Sequence, residues 1–139
     1  MVGTLLGFVL VALAGCADVP EVERPPVIAI DPGLHPVRTA DEVAAIVLRA
    51  IHANEIGLGR VLSPARIIRM SVTLASRVRA IEPNAGQGQP AANRTVWVVR
   101  AFGTFTTNRG PANAQLDAAG SGYYVIDDGD GSIMGDGFP

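Results

Sequence analysis

Apolar residues recur along this chain in two periods, and the change from one to the other divides it into elements. Thr39-Ala40-Asp41-Glu42 has the form of a capping box, with Thr39 placed to accept from the third helical amide and Glu42 to reach back to the cap. Val43, Ile46, Val47, Ala50 and Ile51 follow at the spacing of one buried helical stripe, which predicts a helix closed by Gly57. From Arg66 the period becomes two. Ile68, Met70, Val72, Leu74, Val78 and Ala80 alternate with Arg69, Ser71, Thr73, Arg77 and Arg79, predicting one long strand with a single buried face. A second strand, Arg94 to Thr107, places Trp97, Val99, Ala101 and Phe105 on one face and Val96, Val98, Arg100, Phe102 and Thr104 on the other. Tyr123 to Asp127 and Ser132 to Met134 form the last pair, joined by the tight turn Asp128-Gly129-Asp130-Gly131.

Residues 84–93 and 108–122, rich in Gly, Asn, Pro and Ala, read as connections. Helix, strand, strand and hairpin joined in this order predict an α+β fold, one N-terminal helix packed on a three- to four-stranded antiparallel sheet. This domain occupies residues 39–139. Ahead of it, residues 16–38 hold five prolines and no sustained helical period. Proline lacks an amide donor and biases its predecessor toward extended backbone, so the segment reads as a semi-rigid tether.

Residues 1–15 are different again. Leu5 to Ala14 is an apolar run of signal-peptide length, and even Val2 to Cys16 falls short of the roughly twenty residues a membrane-crossing helix needs. Leu13-Ala14-Gly15-Cys16 resembles the lipobox of bacterial lipoproteins, in which a small residue precedes a cysteine that is lipidated on sulfur before cleavage. The resemblance implies a signal peptide over residues 1–15, an acyl (palmitate-type) anchor on Cys16, and a cell-envelope address facing away from the cytoplasm. Met1 to Thr4 carries none of the Lys or Arg expected at the start of such a signal. Ala12-Leu13-Ala14 also fits ordinary signal-peptidase cleavage, which leaves a secreted chain with a free thiol. Cys16 is the only cysteine, so no disulfide forms within the chain, and lipidation accounts for its presence.

The terminal Tyr124-Val125-Ile126-Asp127-Asp128-Gly129-Asp130-Gly131-Ser132-Ile133-Met134 resembles the closing hairpin of PepSY-like domains. Val96-Trp97-Val98-Val99 is similar to their preceding strand, and the helix capped by Thr39 comes in the expected order. Asp130 stands where that family usually has Thr. The resemblance implies an envelope module that binds or inhibits a partner without catalysis.

Charge is unevenly placed. The net charge is −2, yet residues 56–115 hold eight Arg and one acid while both flanks are acidic. Arg69, Arg77 and Arg79, projecting from the polar face of one strand, are candidates to bind an anionic polymer, lipid headgroup or phosphate, with an envelope protein as the other partner expected; the competing expectation is that the acidic hairpin neutralises these arginines across the sheet. The net charge and the exported address disfavour nucleic acid as a partner.

Asp127, Asp128, Asp130 and Asp136 are the densest set of hard oxygen ligands, but calcium-loop spacing places Ile126 and Gly137 at ligand positions. A turn built by Asp and Gly is the simpler reading, and no cofactor is expected. His35 lies in the tether and His52 on the helix, while Ser71 and Ser76 have no activating base in sequence. The leading expectation is a lipid-anchored binding or inhibitory module. A small metal-dependent or hydrolytic enzyme, joining His52 or the aspartate hairpin to other polar groups, and a structural envelope component are the alternatives.

Overall fold

The computed structural model describes residues 24–59, 64–86, 91–107 and 116–137. Among the described residues five strands form one mixed sheet in sequential order, with two helices. β1 (Val27–Ile30) runs parallel to β2 (Arg66–Leu74), and β3 (Thr95–Thr107), β4 (Leu116–Asp127) and β5 (Ile133–Gly137) complete an antiparallel meander. Parallel neighbours need a crossover, supplied here by α1 (Ala40–Leu58). The capping box forms as expected: Glu42 N–H donates to Thr39 Oγ1 at 3.2 Å and Thr39 N–H to Glu42 Oε2 at 2.8 Å. Gly59, not Gly57, closes the helix, because its left-handed backbone (φ 70°) lets its N–H reach the carbonyls of Glu55 and Ile56.

Each face of the sheet has its own core. Val43, Val47 and Ile51 of α1 pack on Met70, Val72, Trp97, Val99, Ala101, Phe105, Tyr124 and Ile126. Across the sheet, Val96, Val98, Tyr123 and Val125 pack with Ala75, Val78 and Ala85. Both faces of the sheet are therefore covered at Val96–Val99 and Tyr123–Ile126, which accounts for Val96-Trp97-Val98-Val99 being apolar without a break.

Three expectations are corrected. The strand expected from Arg66 to Ala80 ends at Leu74; Ala75–Arg77 form a 3₁₀ turn and Val78–Ile81 a short helix, α2. Period two continued through Val78 and Ala80 only as coincidence, since the buried residues of this segment, Ala75 and Val78, sit one helical turn apart. The connection expected over residues 108–122 is strand from Leu116 onward, extended by pairing with β3. Finally, Val27–Ile30, inside the segment expected to be a tether, lie in the sheet, so the sheet is mixed and five-stranded rather than antiparallel and three- to four-stranded.

Candidate functional site

The aspartate hairpin is engaged in holding the fold. Asp128, buried, accepts from Trp97 Nε1 at 2.9 Å and Arg38 N at 3.0 Å through Oδ1, and from Val37 N at 2.7 Å through Oδ2. Asp127 Oδ1 accepts from the amides of Gly129 (2.6 Å) and Asp130 (3.0 Å), and its other oxygen is ion-paired with Arg94. Asp130 caps Ser132 N at 2.8 Å; the Ser132 hydrogen bonds hold its carboxyl below the ordinary range. Asp136 lies across from Tyr124 on β5, and burial with that neighbouring charge pushes the Tyr124 hydroxyl up to about 12. Asp127, Asp128 and Asp130 accept from different amides, and among the described residues no three His, Cys, Asp or Glu side chains converge as a metal site.

The three arginines do not form a row on one strand. Arg69 is on β2, Arg77 ends the 3₁₀ turn and Arg79 is on α2. Arg77 sits 3.6 Å from Asp31, and Arg79 Nε donates to the Ala85 carbonyl at 3.2 Å. Of the three, only Arg69 has no ion pair or hydrogen bond among the described residues. Among the described residues Asp31 pairs with Arg77, Glu82 with Arg100, and the hairpin's Asp127 with Arg94, which is not one of the three. Ser71 is buried in β2 and Ser76 exposed in the turn after it. His35 is exposed near the start of α1. Cys16 and the signal region lie outside the described residues.

Two further polar pairs lie outside the sequence motifs. Arg100 on β3 grips Glu82 with two donors, Nε to Oε1 at 2.9 Å and Nη2 to Oε2 at 2.5 Å, and reaches Ser121 Oγ with its third nitrogen at 3.2 Å. Glu82 is the single acid in the basic stretch, which was the signal available for this pairing. Glu55 continues the Val43-Val47-Ile51 stripe by one more turn and is buried, with Oε1 lacking any partner and Oε2 3.8 Å from His52 Nδ1. An acid falling on the apolar stripe marked it in the sequence.

β1 is an edge strand of the sheet, and its outer edge is exposed. All four residues are exposed, Val27 at 65% and Ile28 and Ile30 at 49% each. Asp31 N–H donates to the Val72 carbonyl at 3.0 Å, toward β2. Backbone groups alternate along a strand, so the N–H and C=O of Ile28 and Ile30 point away from β2 into solvent. Ile28 and Ile30 share a face with their register partners Met70 and Val72, the α1 side, while Val27 and Ala29 share the opposite face with Arg69 and Ser71. Asp31 fixes the end of the strand: its Oδ2 accepts from Thr73 Oγ1 at 2.6 Å. Pro26 and Pro32 bound it, which is the proline guarding common at sheet edges, but no charge or bulge interrupts the four residues between Pro26 and Asp31.

Compared with protein-family models, curated proteins and solved structures, the chain matches none of them. Among the described residues no helix is long and apolar enough to cross a membrane.

Proposed function

We propose that this chain is a lipid-anchored envelope protein whose domain acts without catalysis, by adding the extended segment of a partner to the outer edge of β1. The observation that carries this reading is the pair of outward-facing Ile28 and Ile30 backbones flanked by half-exposed apolar side chains. Strand addition needs both: main-chain donors and acceptors supply affinity, and alternating side-chain positions supply selectivity. The binding or inhibitory role implied by the PepSY-like ending agrees with it. Ten residues separate Cys16 from Val27, so an acyl chain on Cys16 keeps β1 within about 35 Å of the lipid surface.

A photo-crosslinking residue at Ile30, compared with one at Arg49 on the exposed side of α1, tests the edge in intact cells. A discrete adduct from position 30 alone supports the reading; equal adducts from both positions, or none, oppose it. Metabolic labelling with a fatty-acid analogue tests the anchor separately, by marking the wild type and not Cys16→Ala.

A second reading, a small hydrolytic enzyme, is favoured by one observation, the buried and unpartnered Glu55 oxygen beside His52. A carboxylate orienting an exposed imidazole is the beginning of a general-base arrangement. Loss of a hydrolytic activity in His52→Ala and Glu55→Gln alike, with the fold intact, supports it.

A further inference from the structure

The outer edge of β1 is nearly symmetric about its own centre. Reading Pro26-Val27-Ile28-Ala29-Ile30-Asp31-Pro32, both isoleucines lie one residue from Ala29 and both prolines three residues from it. We infer that the segment added to β1 is β1 of a second copy, antiparallel about a two-fold axis at Ala29, so that two five-stranded sheets join into one of ten strands. This rests on the reading of β1 as a strand-addition edge and names its occupant.

The register follows from the hydrogen bonds. With the axis at Ala29, Ile28 lies opposite the partner's Ile30 and Ile30 opposite the partner's Ile28. These are the residues whose N–H and C=O face outward, so each pair exchanges two bonds and the short ladder is complete. Pro26 then faces the partner's Pro32, and the ladder stops where neither strand has an amide to donate. A shift by two residues in either direction places a proline against an isoleucine, and each such pair keeps one bond in place of two. The isoleucines meet on the α1 side of the joined sheet as cross-strand apolar pairs.

Charge complements the same register. On the face opposite α1, Val27 lies opposite the partner's Asp31, and Val27 is the register neighbour of Arg69. Arg69, unpaired among the described residues, is thus two strand spacings, about 10 Å between backbones, from the partner's Asp31. Asp31 uses Oδ2 for Thr73 and Arg77, leaving Oδ1 for the incoming guanidinium. The two-fold axis makes this contact twice. Four residues a side bury far less than the roughly 1,200–2,000 Å² of a stable dimer, so pairing is weak in dilute solution. Confinement of anchored chains to one surface raises their effective concentration.

Ala29 is the residue that reports this geometry. Its backbone bonds face β2, so Ala29 and the partner's Ala29 form a non-hydrogen-bonded pair with α-carbons about 4.5 Å apart, within reach of a disulfide. The full chain carrying Cys16→Ser and Ala29→Cys is oxidised mildly and run under non-reducing conditions. Val27→Cys in the same background is the control, because its symmetry mate is four residues along the opposed strand, about 13 Å away. A disulfide-linked dimer at least tenfold more abundant with Ala29→Cys than with Val27→Cys is expected, and adding Ile30→Lys to Ala29→Cys should reduce it at least fivefold. Ala29→Cys that stays monomeric, or that links no better than Val27→Cys, overturns self-pairing. If it stays monomeric while the position-30 photo-crosslinker captures a different protein, self-pairing falls and strand addition stands; if neither links, both fall.

Discussion

The buried indole N–H of Trp97 and the carboxylate of Asp128 meet at 2.9 Å, and this contact ties the β4–β5 turn to the centre of the sheet. The same carboxylate receives the amides of Val37 and Arg38, so one side chain also fixes how the chain enters α1. Asp128→Ala leaves three buried or half-buried donors without an acceptor. At about 1 kcal/mol or more for each, the variant should lose roughly 3 kcal/mol, read by urea unfolding followed through Trp97 emission. A loss under about 1 kcal/mol contradicts the role given to Asp128.

Glu82 and Arg100 should behave as a coupled pair. Glu82→Ala leaves a largely buried guanidinium with only Ser121 to receive it, and a cost of about 3 kcal/mol is expected. Replacing both residues by Leu and Met should recover much of that loss. Losses that simply add in a double-mutant cycle would mean the two do not act together.

Acid should act on the start of α1. The Thr39 amide, followed by the Thr39 hydroxyl, holds the Glu42 carboxyl below 4.5 in the folded chain. A depressed carboxylate contributes stability that is present above its unfolded value and lost as pH falls through the folded one. Stability should therefore decline below about pH 4.5, and Glu42→Gln should flatten that part of the acid limb. An unchanged pH profile between wild type and Glu42→Gln removes the capping box from the acid response.

Glu55 makes the opposite prediction. It lies on the buried stripe of α1 with one oxygen unpartnered, at the helix end where the macrodipole is negative. Glu55→Leu should raise the unfolding free energy by about 1 kcal/mol, since apolar replacement of a poorly compensated buried charge is often stabilising. A comparable drop instead would show that Glu55 has stabilising partners.

Elements with strong periodicity could be read directly from the residues. The capping box at Thr39, the stripe through Ile51, the strand around Trp97 and the Asp-Gly hairpin all form where the pattern puts them. What the pattern could not show was long-range pairing. Val-Ile-Ala-Ile is too short to display a period, and its proline neighbours read as a tether until β2 supplied a partner. The Ala75–Ile81 segment mimicked a strand because two of its apolar residues happened to alternate, and only the core above Val96 and Val98 distinguishes it. The aspartates were correctly expected to build a turn, but Asp128 reaching Trp97 and Val37 depends on residues 31 and 91 positions away. Glu55 and Glu82 were each visible as an acid out of place, a sign that can be sought in other chains.

Strand addition requires the outer edge of β1 to be open. Amide exchange measured residue by residue on the dilute full chain tests this directly. Ala29 and Asp31, bonded to β2, should exchange slowly, whereas Ile28 and Ile30 should exchange at close to unstructured rates. Slow exchange at all four positions in the dilute chain would mean the edge is already covered, and would contradict strand addition at β1.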